Sequence, residues 1–268
     1  MTFAERLATT VARSGRLCVG IDPHESLLSS WGLPATASGA REFGVRVVDA
    51  AAGRVGVVKP QVAFFERFGA DGYRALEAVL AAARSAGLLV IADAKRGDIG
   101  TTVEAYGQAW LTPGSPLEAD ALTAVAYQGL GSLDAVIALA EQGDKGLFLL
   151  TATSNPEAVS TQQAVRADGR TVASGLLADI RARRSGSLGV VVGATVDAAD
   201  YGIALPDLVG VPILAPGFGA QGAQLSRVGE LFGPAAQNVL ANVSRSVLGA
   251  GPDGLGAAID LANEEVRA

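Results

Sequence analysis

The chain has 268 residues, 49% of them hydrophobic and 18% charged, which suffices for one large buried core and argues against disorder. Its formal net charge of -6 excludes broad binding to nucleic acid or an anionic membrane, though not to a small anion held by local donors. Cys18 is the only cysteine and His24 the only histidine, which excludes a disulfide framework, cysteine or multi-histidine metal sites, and Ser-His-Asp or Cys-His triads.

From the N-terminus, residues 2–14 have helical spacing and are expected to cap the bottom of a barrel. Eight short apolar runs follow at intervals of roughly 25 to 40 residues, the spacing of βα units. They are 17–22 (LCVGID), 55–60 (VGVVKP), 88–95 (LLVIADAK), 120–127 (DALTAVAY), 146–154 (GLFLLTATS), 188–195 (LGVVVGAT), 212–219 (PILAPGFG) and 237–245 (QNVLANVSR). Continuous apolar runs suit parallel strands buried on both faces. Between them, residues 70–86, 132–141, 172–184 and 244–261 repeat apolar positions at helical spacing. Gly87 is placed to cap the first of these. The stretch after Thr195 is short, so the sixth helix is expected to be reduced. This order predicts one α/β domain over 1–268, a (β/α)8 TIM barrel of the usual ~250-residue size. An open doubly wound sheet is the alternative. No membrane-length apolar run or signal-peptide core appears, which leads to the expectation of a cytoplasmic protein.

Polar residues gather where the strands end: Asp22, Lys59, Asp93, Lys95, Thr151, Thr153, Ser154, Thr195 and Arg245. In a barrel these ends open on one face, where active sites form. Asp93 and Lys95 are two apart, which on a strand puts both on one face about 7 Å apart at the backbone. With Asp22 and Lys59 they are expected to form an alternating array that keeps a lysine cationic beside an ionised carboxylate. A purely structural ion-pair network is the other reading. The second constellation is the glycine-rich run 215–222, leaving strand seven, with Arg245 ending strand eight. Glycines let backbone N–H groups approach an anion, a following helix start adds its dipole, and arginine can clamp a phosphate. Barrels commonly bind phosphate between these two loops. Cys18, Trp31 and Trp110 read as packing residues, and His24 as a loop residue near the mouth.

The run DAKRGDIGTT (93–102) resembles the signature of orotidine 5′-phosphate decarboxylases. GIDP (20–23), VVKPQVAFFE (57–66), TSNP (153–156) and PGFGAQG (216–222) fall in the family's order, with a spelling similar to its bacterial type 2 subgroup. The resemblance implies a homodimeric barrel that turns orotidine 5′-phosphate into UMP and CO2 with no metal and no organic cofactor. It implies Lys95 as proton donor to pyrimidine C6, Asp93 beside the departing carboxylate, and Lys59 as the second lysine. It implies that Asp98, with Ile99 and Thr102, reaches the neighbouring subunit's site. Asp22 matches the binder of ribose hydroxyls, and Gly217, Gly219 and Arg245 match phosphate contacts. Gln221 matches the residue bridging pyrimidine and phosphate, and either Ser154 or Asn155 reads the base. Open rivals are a related Mg²⁺-dependent sugar-phosphate decarboxylase, a Schiff-base aldolase using Lys59 or Lys95, and a non-catalytic nucleotide sensor.

Overall fold

All eight apolar runs become parallel strands: β1 Leu17–Ile21, β2 Val57–Pro60, β3 Leu89–Arg96, β4 Ala121–Ala124, β5 Gly146–Ala152, β6 Leu188–Val192, β7 Ile213–Pro216 and β8 Val239–Val243. In the computed structural model, which describes residues 1–267, they hydrogen-bond in chain order and β8 closes onto β1. Closure leaves no open edge, so the barrel holds and the doubly wound alternative does not. Several expected runs are too long at their C-terminal ends; β4, β5, β6, β7 and β8 stop two or three residues earlier. The apolar pattern continues there, but the backbone leaves the ladder to build the mouth. β3 does the opposite and runs one residue further, to Arg96.

The helix Phe3–Ser14 opens with a capping box, in which Thr2 and Glu5 satisfy each other's backbone N–H groups. Its Phe3 and Leu7 close the barrel bottom against Cys18, Val57, Ile91, Ala121, Phe148 and Leu240. Phe3 meets Phe148 edge-on at 6.0 Å. The expected capping role of this segment is therefore met. A second, larger core fills the space between strands and outer helices.

Helices Gly69–Ser85, Asp134–Gln142 and Val172–Arg183 lie where their spacing predicts. The expected helix 244–261 is two, Arg245–Leu248 and Gly251–Glu265, divided at Gly251 with φ +76°. Among the described residues the β6–β7 connection carries only the 3-10 turns Ala198–Tyr201 and Leu205–Leu208, as the short spacing suggests. Two helices, Ala37–Ala51 and Gly100–Leu111, were not apparent from spacing. Each contains a glycine at a close helix crossing. A Cβ on Gly44 would lie 2.5 Å from Val79, and one on Gly107 would crowd Leu139 and Val136. These glycines lower helix propensity, and packing against the neighbouring helix supplies what propensity does not. No helix of the described residues is long and apolar enough to cross a membrane.

Candidate active site

Asp93 sits at the centre of the barrel mouth. Lys59 Nζ donates to its Oδ2 at 2.8 Å, Lys95 Nζ to its Oδ1 at 2.6 Å, and Thr123 Oγ1 to the same Oδ1 at 2.9 Å. Lys59 and Asp93 are buried, whereas the Lys95 side chain is 43% exposed. Burial pushes the Asp93 carboxyl up, but the charges of Lys59 and Lys95 outweigh this and hold it far below the ordinary carboxylate range. Burial likewise pushes the Lys59 ammonium down, and the charges of Asp93 and Asp22 outweigh that and hold it above the usual lysine range. Both stay ionised at neutral pH. Gln61, with its amide turned to satisfy both neighbours, donates to Asp93 Oδ2 and accepts from Lys95 Nζ at 3.1 Å.

The expected contact between Asp93 and Lys95 is present, but its geometry is not that of a regular strand. Lys95 has φ +50°, and the β3–β4 register shifts between Ala92 and Arg96. The left-handed backbone re-aims the lysine over Asp93 and costs roughly 1–2 kcal/mol in a non-glycine residue. Asp22 joins the expected array through its charge on Lys59, not through a direct contact. It makes no ion pair with Lys59; instead Ser244 Oγ donates to its Oδ2 at 2.5 Å, and its Oδ1 is buried with no partner. A group left in that state is ready for an incoming hydroxyl.

A cavity of about 360 Å³ joins these elements, a size suited to a small molecule. Its lining brings Asp22, Lys59, Gln61 and Asp93 together with Gly217, Gln221, Ser244 and Arg245. Gly217 and Gly219 have φ of +116° and +71°, and a Cβ on Gly219 would meet Ser246 Oγ at 2.5 Å. Only glycine lets this loop lie against the chain after β8. The expected helix start behind the loop is absent: a 3-10 turn at Leu225–Arg227 leads into the short helix Val228–Phe232. Arg245 itself opens the short helix Arg245–Leu248, whose Ser246 lies against Gly219.

Ser154 Oγ donates to Gln221 Oε1 at 3.4 Å, which bridges the β5 and β7 loops. Asn155 is occupied with Thr153 and Glu157. Asp98 is half-buried and accepts from the Ile99 N–H at 2.8 Å; Ile99 and Thr102 are exposed. None of these three lines the cavity. Thr195 borders a separate cleft of about 590 Å³ that lacks any such charged array. His24 lines the site cavity and packs on Phe64, ring centroids 4.1 Å apart. Thr123, Gln61, Asn242 and Ser244 escaped the sequence reading. Each lies at or just past a strand's C-terminal end, which is the one signal that pointed to them. Cys18 is buried beneath the array, and burial pushes its thiol up to about 12.

A profile described as the orotidine 5′-phosphate decarboxylase / HUMPS family matches residues 15–258. The chain is 49% identical to orotidine 5′-phosphate decarboxylase of Corynebacterium glutamicum, over 94% of this chain and 92% of that protein. It is similar to a solved structure assigned as the same enzyme in Streptomyces avermitilis, with TM-score 0.94, 48% identity and coverage of 99% of this chain and 95% of that one. The Leishmania donovani OMP decarboxylase structure matches with TM-score 0.82 and 31% identity, covering 100% of this chain and 98% of that one.

Proposed function

Because the chain belongs to the orotidine 5′-phosphate decarboxylase / HUMPS family and decarboxylates orotidine 5′-phosphate to UMP in pyrimidine biosynthesis, we propose that the reaction runs on its Lys59–Asp93–Lys95 array. The observation that carries this reading is a buried carboxylate at the cavity wall gripped by two lysines, the buried Lys59 and the 43% exposed Lys95. Breaking the C6–carboxylate bond releases CO2 and leaves an electron pair on C6. That charge has little resonance relief, so the enzyme must stabilise it in the transition state. The Lys95 ammonium does so and then transfers a proton to C6, giving UMP. Asp93, held by Lys59 and Thr123, lies beside the departing carboxylate and fixes the position of the Lys95 ammonium.

The rest of the cavity holds the nucleotide. Asp22, oriented by Ser244, accepts from ribose hydroxyls through its unpartnered Oδ1. Gly217, Gly219 and Arg245 bind the phosphate, which is remote from C6 and contributes orientation. Gln221 links phosphate and pyrimidine, and its contact with Ser154 favours Ser154 over Asn155 as the reader of the base. Asp98, Ile99 and Thr102, outside their own cavity, serve the site of a second copy in a homodimer. Residues 1–268 act as one catalytic domain in the cytoplasm, with neither metal nor organic cofactor.

The test is loss of orotidine 5′-phosphate followed spectroscopically with EDTA present. Wild type is expected to turn over fully, and Lys95→Ala to lose essentially all kcat while still binding UMP. Substantial turnover by Lys95→Ala, or dependence on added Mg²⁺, overturns the mechanism.

A further inference from the structure

The unusual backbone of Lys95 needs something to hold it, and its neighbour Arg96 is placed to do so. The Arg96 main chain is back in register, pairing with Ala124, and its carbonyl accepts from the Val125 N–H at 2.8 Å. Its side chain folds back over the strand. Nη1 donates to the Ala94 carbonyl at 3.1 Å, so the guanidinium spans the left-handed residue from its far side. Nη2 donates to Glu66 Oε1 and also meets the Tyr73 hydroxyl at 3.3 Å. Tyr73 in turn donates to Glu66 at 2.6 Å. On the other side Arg96 lies over Tyr106, 5.5 Å from the ring centroid, with Trp110 at 6.0 Å. One side chain thus ties the segment after β2 and the helix Gly69–Ser85 to the helix Gly100–Leu111, across the turn that carries both Lys95 and Asp98.

The Glu66 carboxylate is a fitting partner. Burial pushes it up, but hydrogen bonds from Tyr73 and Arg96 outweigh that and hold it below its ordinary range. It remains charged wherever the enzyme works. Arg96 itself is largely buried, and its Nε is a buried donor with no partner. The clamp therefore has little freedom to rearrange without losing desolvated contacts.

We infer that Arg96, with Glu66 and Tyr73, is a positioning unit that keeps Lys95 left-handed and its ammonium aimed at the reacting carbon. This rests on the proton-donor reading of Lys95. Arg96 touches neither the cavity nor Asp93, so its loss acts on kcat rather than on nucleotide binding. A misplacement of about 1 Å in a reacting group costs on the order of a hundredfold.

The experiment compares wild type with Arg96→Met, Glu66→Gln and Tyr73→Phe, reading kcat, KM, the affinity for UMP, the pH profile of kcat and the thermal midpoint. Arg96→Met is expected to lower kcat by about ten- to a hundredfold with KM and UMP affinity near wild type. Glu66→Gln keeps an acceptor and falls between, with KM and UMP affinity again near wild type. The double variant Arg96→Met/Glu66→Gln should fall no further than Arg96→Met alone. Wild-type kcat in Arg96→Met overturns the inference while leaving the reaction itself intact. So does a loss that appears equally in UMP affinity. If Arg96→Met does not fold, Glu66→Gln and Tyr73→Phe decide: unchanged kcat in both is the negative result. An inactive wild type would instead sink the underlying mechanism.

Discussion

Lys59 and Asp93 are buried charges that stay charged because they face each other, with Lys95 and Asp22 adding to the effect. The signs follow from their shifts. Asp93 is depressed in the fold, so its contribution to stability is complete above an ordinary aspartate pKa of about 4 and drains away as pH falls toward the folded value. Lys59 is raised, so its contribution is complete below the ordinary lysine range and is lost only in strong alkali. Lys59→Met leaves Asp93 with one cation fewer and should cost about 3 kcal/mol near neutral pH. Protonating Asp93 relieves the variant sooner than the wild type, so the gap should narrow on acidification. Urea melts at about pH 7 and about pH 4 read this; a pH-independent gap would point to lost packing instead. The sequence identified both residues from their place at strand ends. It missed Thr123 and Gln61, which complete the same carboxylate's shell, because a single neutral polar residue in an apolar run carries no distinctive signal.

At the scale of elements, the two ends of the barrel do different work. The bottom is sealed by the helix Phe3–Ser14, whose Phe3 is buried against Phe148. Phe3→Ala should cost about 3–5 kcal/mol through the cavity it leaves, measured by denaturant unfolding, with kcat of the folded fraction unchanged. A fall in kcat would mean that the bottom and the mouth are coupled. The top is built by loops. In the turn after β7, Gly219 combines positive φ with close approach to Ser246. Gly219→Ala should weaken UMP binding and raise KM by about tenfold or more, since the loop must move by the width of a methyl group. Equal loss of affinity for uridine, which lacks the phosphate, would place the effect elsewhere. The strands and most of the longer helices could be read from spacing, but the true strand ends, the short helices and the two helices with glycine at a crossing could not. Hydrogen-bond ladders and helix crossings set those, and neither leaves a local pattern.

For the molecule as a whole, the half-buried Asp98 with the exposed Ile99 and Thr102 is the strongest reason to look beyond one chain. Ile99 is 60% exposed, and nearby Tyr106 is partly open as well. If Asp98 serves a partner's site, Asp98→Ala and Lys95→Ala should each be inactive alone. After subunit exchange, a mixture should regain activity, because a hybrid dimer holds one site with neither change. Analytical mixing with exchange verified, followed by the same spectroscopic assay, reads this out. No recovery would confine Asp98 to its own subunit, where its carboxylate accepts from the Ile99 N–H.

The sequence by itself determined the class of fold, the number and order of strands, and the two ends of the site. Buried parallel strands need unbroken apolar runs, and charge at their ends is too costly to be accidental. Tertiary structure decided the rest. It hydrogen-bonded Asp22 to Ser244, gave Lys95 a left-handed backbone, and brought Ser154 to Gln221 across 67 positions of chain. Such contacts depend on barrel closure and register, which are properties of all eight strands together and of no single segment.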